Sequence, residues 1–190
     1  MLKVAVVLLT SLLVSLAGCA SVASLHPLAL PNDKDIVFDP ALLGTWEEAE
    51  SFGDGTKTTY TVSRADSGYS YSMVAGADQT NGTMRLIKAG GQYLLDIYSA
   101  SNGAPLPVHV FLRLRLEKDT AWVAVMDSDW LQDQIKTRGE LRHEVLREDD
   151  PRVVLTASPA ELRQYLLPYA SDDRTFGEEG ELHRIALEGK

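Results

Sequence analysis

Beyond residue 41, apolar and polar residues alternate along the chain with period two, in short segments separated by clusters of Gly, Asp, Asn and Ser. The segments are Leu42 to Ala49, Lys57 to Ala65, Gly68 to Ala75, Thr83 to Ala89, Gln92 to Ala100, Val108 to Lys118 and Thr120 to Met126. Period two sends successive side chains to opposite faces of a strand, so each segment reads as a strand with one buried face. Asp66-Ser67-Gly68, Asn81-Gly82, Gly90-Gly91 and Lys118-Asp119 suit tight reversals between them. Seven strands in succession predict an antiparallel meander, closed into a barrel or bent into a strongly curved sheet. The sharpest alternation runs through Val110, Leu112, Leu114 and Leu116, with His109, Phe111, Arg113 and Arg115 between them. Its even face is core and its odd face is mostly wet.

After Met126 the pattern changes. Asp129 can cap a helix through about Thr137, with Leu131, Gln134 and Ile135 spaced by three or four. Leu141 to Arg147 and Arg152 to Ala157 read as two more strands. Ser158-Pro159-Ala160-Glu161 supplies an N-cap, a proline at the first helical position and a capping-box glutamate. Leu162, Tyr165, Leu166 and Tyr169 then share one helix face, and Glu181 to Leu187 closes as a last strand. The predicted fold is mainly β, with two short helices in the C-terminal half, in a single domain over residues 41–190.

The N-terminal 40 residues follow another pattern. A short basic start, Met1-Leu2-Lys3, precedes an apolar run from Val4 to Ala17, then Gly18-Cys19. As a helix those 14 residues would reach about 21 Å, short of the ~30 Å bilayer core. The run therefore reads as a signal segment, residues 1–18. Leu16-Ala17-Gly18-Cys19 resembles the lipobox of bacterial lipoproteins. That resemblance implies cleavage before Cys19, a diacylglyceryl thioether on its thiol and acylation of the new amine, hence a lipid-bilayer partner. In diderm members of that family an aspartate after the cysteine retains the protein at the inner membrane. Here Ala20-Ser21 follows, which implies the outer membrane, facing the periplasm, in a diderm source. Residues 19–40, punctuated by Pro27, Pro31 and Pro40, read as the lipidated N-terminus and an extended tether reaching up to ~70 Å.

Composition removes whole function classes. The formal charge of −9 argues against a nucleic-acid partner. One cysteine excludes an intramolecular disulfide and any zinc cluster needing two thiolates. His26, His109, His143 and His183 lack metal-ligand spacing and read as solvated or core-edge residues. Asp127, Asp129 and Asp133 resemble a fragment of a calcium loop without its glycine and terminal glutamate, and helix capping by Asp127 or Asp129 explains them. Glu47-Glu48, Asp149-Asp150, Asp172-Asp173 and Glu178-Glu179 read as solvated surface charge. No nucleophile elbow and no phosphate loop is present, so no catalytic residue, metal or cofactor is assigned and a non-enzyme is expected.

Gly44-Thr45-Trp46 opens the first strand and resembles the Gly-x-Trp signature of lipocalin-like barrels. The resemblance implies that Trp46 plugs the closed end, that a small apolar ligand enters the other, and that Arg184 packs over the indole. Tyr60, Tyr69, Tyr71, Tyr93 and Tyr98 cluster on the meander. Tyr69, Tyr71 and Met73 share a strand face, where they either line a ligand cavity with Trp46 or pack ordinarily across strands. Two functions follow: a membrane-anchored, non-catalytic interaction or structural module with an envelope protein partner, or a lipocalin-like carrier of a small lipophilic ligand. They differ in whether the β domain is hollow: a carrier needs an apolar cavity of about 300–1,000 Å³, whereas a scaffold can be filled.

Overall fold

The computed structural model describes residues 22–49, 56–99, 107–139, 141–146 and 152–185. The alternating segments become strands whose inward positions are apolar and whose neighbours in sequence are neighbours in the sheet. In chain order the strands are β1 (Val22–Ser24), β2 (Ile36–Val37), β3 (Gly44–Glu48), β4 (Thr58–Ala65), β5 (Gly68–Ala75) and β6 (Asp78–Ala89). They continue as β7 (Gln92–Ser99), β8 (Val108–Glu117), β9 (Thr120–Val125), β10 (His143–Leu146), β11 (Arg152–Leu155) and β12 (Gly180–Ile185). Helices α1 (Ser128–Arg138) and α2 (Pro159–Leu166) lie in the C-terminal half.

Eight strands close an antiparallel barrel in the order β3-β4-β5-β6-β7-β8-β9-β12 and back to β3. β12 makes the closure, setting Leu182 opposite Ala121 of β9 and Arg184 opposite Trp46 of β3. Trp46, Tyr60, Val62, Leu95, Leu112 and Leu114 point inward, whereas Thr61, Ser63 and Arg115 face water. An apolar lumen with polar residues at these uncovered outer positions is the reverse of a membrane-spanning barrel.

A second core lies outside the barrel wall. Ile87, Leu94, Phe111 and Ala124 point away from the lumen and are covered by Leu131 and Ile135 of α1, Leu162 and Leu166 of α2, and β1 and β11. β8 is therefore covered on both faces over much of its length, which corrects the expected wet odd face: Phe111 is buried and Arg113 is largely covered. β8 pairs with β9 from Leu112 to Glu117, and β1 takes over that edge at His109.

Residues 22–40 do not form the expected tether. Val22–Ser24 runs parallel to β11, Ile36–Val37 adds to β6, and Leu28 and Ala29 are fully buried. Asp96 accepts a hydrogen bond from the Leu28 amide at 2.8 Å, and Arg163 pairs with Asp33 and Asp35. The prolines shape a segment that wraps the barrel, because its apolar residues have a buried surface to meet.

Two smaller expectations are also corrected. Asn81-Gly82 lies within β6, and the reversal comes earlier, at Gly76, whose φ of 60° suits a turn. α1 is capped by Asp127, which accepts from the Trp130 amide at 2.7 Å, rather than by Asp129. The capping box of α2 forms as expected, with Ser158 and Glu161 bonding reciprocally. Residues 1–21, including Cys19, lie outside the described residues.

Candidate functional site

The barrel floor is built from Gly44, Trp46 and Arg184. Gly44 has a φ of +126°, and a Cβ there would lie 2.6 Å from the Arg184 Nη1 atom. Only glycine lets that guanidinium reach the backbone. Arg184 sits 4.2 Å over the Trp46 ring and donates to the carbonyls of Leu43, at 2.5 Å, and Ala41. The Trp46 indole in turn donates to the Leu42 carbonyl at 3.0 Å. A short 3₁₀ turn, Pro40–Leu42, is thereby clamped across one end of the barrel.

Above this floor the lumen holds a cavity of about 130 Å³. Trp46, Met73, Met84, Val110, Leu112 and Val123 are among its apolar walls, and Tyr60, Tyr71, Thr80 and Ser99 bring polar atoms. Its volume is close to that of an engineered cavity of about 150 Å³ that admits benzene. It falls below the ~300 Å³ at which pockets for larger ligands begin. The space therefore suits one ring or a slender chain, and two methionines give its wall some adaptability.

Three of these polar groups, those of Tyr60, Tyr71 and Ser99, belong to two hydrogen-bonded pairs. Tyr71 hydrogen-bonds Ser99 across the wall, and burial pushes its phenol pKa up. Its ring lies against the backbone at Gly82, where a Cβ would come within 2.6 Å of the ring and 2.3 Å of the Tyr98 carbonyl oxygen. Tyr60 donates its hydroxyl to Glu48 Oε1 at 3.0 Å, and both residues are buried. Burial first, then the Glu48 charge, pushes the Tyr60 phenol far above its ordinary range, so it acts as a fixed donor.

No protein-family model, curated protein or solved structure matches this chain. The lumen's own chemistry therefore carries the functional argument.

The structure places Trp46, Tyr71 and Met73 on the cavity wall and Arg184 beneath the floor. Tyr69, expected beside them, is buried elsewhere: it stacks on Phe38 at 5.0 Å and its hydroxyl exchanges hydrogen bonds with the Asp39 backbone. It fastens the lead into β3 and does not line the cavity. Glu48, read as solvated, is 8% exposed and faces inward two places after Trp46. The period of the strand contained that signal. His109, expected as solvated or core-edge, meets Asp96 at 2.6 Å beneath the N-terminal segment. Among the described residues, no group of three or more His, Cys, Asp and Glu is placed to hold a metal.

Proposed function

We propose that this protein is a carrier or sensor of a small, slender apolar molecule, held at a bacterial envelope membrane through lipid on Cys19. The observation that carries the reading is the apolar cavity of about 130 Å³ inside the closed barrel, floored by Trp46. A purely structural domain gains from filling such a space, because each unfilled volume forfeits packing. The resemblance of Gly44-Thr45-Trp46 and Arg184 to a lipocalin-like barrel floor supports the same reading. The lipobox and the Ala20-Ser21 that follows it support an outer-membrane address facing the periplasm.

Native mass spectrometry of the protein extracted from its own envelope tests this. A bound lipophile of small mass supports the carrier. A Val110→Trp variant, which fills the lumen, should release it, and unchanged retention in that variant overturns lumenal binding.

A second reading keeps the interaction module. β10 is an outer strand of the sheet, paired with β11 on one side, and Val145 on it is 50% exposed. Such an edge can accept a strand from an envelope protein. Co-purification of a protein lost on Val145→Pro, with no lipophile in the lumen, would favour this reading over the carrier.

A further inference from the structure

Glu48 occupies an unusual place for a carboxylic acid. It lies on the inward face of β3, two places beyond Trp46 at the strand's C-terminal end, with 8% of its surface exposed. Tyr60, whose ring forms part of the cavity wall, holds Oε1. A carboxylate offers about four lone-pair sites, and one phenol satisfies one of them. The neighbouring cation, Lys57, is turned to the outer face, where it pairs with Glu47 at 2.7 Å. Thr58, inward beside Tyr60 and fully buried, adds one hydroxyl, which turns toward the Tyr60 oxygen. Glu48, Thr58 and Tyr60 thus form a buried polar cluster that meets the cavity at the Tyr60 ring, and the lone pairs of Glu48 beyond the Tyr60 hydrogen bond are its spare acceptors.

Burying acceptors without donors costs free energy that an occupant with donors can recover. A neutral hydrocarbon leaves this cluster unsatisfied, and a carboxylate ligand adds a like charge to it. A primary ammonium brings three donors and the opposite charge.

We propose that the lumen prefers a small apolar molecule bearing a primary amine, its apolar part against Met73, Leu112 and Trp46 and its ammonium directed to Glu48. This rests on the carrier reading and specifies the class of cargo.

The test uses one ring with four substituents: toluene, benzyl alcohol, benzylammonium and benzoate, titrated by calorimetry into the chain from Ala20 to Lys190, which contains every described residue. Benzylammonium should bind on the order of tenfold or more tightly than benzyl alcohol, since hydrogen bonds to charged groups outweigh neutral ones by that much. Benzoate should bind most weakly. The preference should persist in 0.5 M salt, which screens the general field of an acidic protein but not a buried contact. Glu48→Gln should reduce the ammonium preference, read as the ratio of benzylammonium to benzyl alcohol affinity within the same variant, to within about twofold. If toluene binds and Val110→Trp blocks it, yet ammonium and alcohol bind alike in the wild type, the amine preference is wrong and the carrier reading survives. If none of the four binds, both fall. The wild-type order decides the matter even if Glu48→Gln fails to fold.

Discussion

Gly44 and Gly82 sit at close contacts of different kinds, and their substitutions separate floor from wall. At Gly44 a side chain meets both an unfavourable φ of +126° and the Arg184 guanidinium at 2.6 Å. Gly44→Ala should therefore cost about 1–3 kcal/mol, the range for strained backbone, read from denaturant midpoints at constant m-value. At Gly82 the close contacts are the Tyr71 ring and the Tyr98 carbonyl, so Gly82→Ala should drive the ring into the cavity and weaken ligand binding. On β8 the alternation separates inner from outer positions: Leu112→Ala should cost about 2–5 kcal/mol through lost burial and a residual cavity. Arg115→Ala should cost about 1 kcal/mol or less, because the side chain is exposed, its stacking on Trp122 is modest and its ion pairs with Glu117 and Glu179 lie in solvent. Arg113 should fall between them, since it lies over Phe176 and pairs with Asp173 at 2.7 Å. The inward positions of β8 were legible because alternation is strict there. Glu48 was obscured because composition argues that adjacent glutamates are solvated, whereas strand parity sends one of them inside.

Hairpin strands were legible as elements wherever a strong alternating run met a local turn. β1 and β2 were not, because strands of three and two residues carry no periodic signal and owe their form to the sheet they join. β6 was read short at its start for a related reason: Asn-Gly is a strong turn signal, yet Gly82 is held in extended backbone by pairing with Tyr71 of β5 on one side and Ser99 of β7 on the other. The capping box of α2 is local chemistry and was legible in full. Ser158→Ala should cost about 1 kcal/mol. Glu161, the other half of that box, has its pKa held down to about 2, chiefly by Arg142 and then by Ser158. A depressed folded-state pKa means stability that is fully present above the ordinary value of 4.5 and lost as pH falls toward about 2. The gap in thermal midpoint between wild type and Glu161→Gln should accordingly be widest near neutrality and close across that interval. A gap that stays constant through it would remove the linkage.

At the scale of the whole molecule, the N-terminal segment decides how the barrel is mounted. Its prolines suggested an extended spacer, but the segment supplies Val22, Leu28 and Ala29 to the outer core and places the Leu28 amide on Asp96. Each fully buried Leu or Val of this kind contributes roughly 1.5–3 kcal/mol. A chain beginning at Ala41 should therefore lose several such increments and expose Ile87, Leu94 and Phe111, with a markedly lower denaturant midpoint than a chain beginning at Ala20. Equal midpoints would restore the spacer. The same packing shortens the reach of any anchor. With Cys19 lipidated as proposed, Ala20 and Ser21 are all that separates it from the first described strand. The three backbone steps from Cys19 to Val22 extend about 10 Å at most, against ~70 Å for a free tether, so a barrel anchored this way must ride close to the bilayer. On the proposed carrier reading, such a mounting would let cargo exchange with the anchoring membrane and leave too little reach to ferry it across a compartment. Energy transfer from the protein's tryptophans to dansyl-labelled headgroups measures that height. Insertion of about twenty Gly/Ser residues between Ala20 and Ser21 adds a root-mean-square reach of ~25 Å and should sharply reduce the transfer. If the wild type transfers no better than the lengthened variant, the barrel stands off the membrane, and exchange with its own bilayer loses its structural basis.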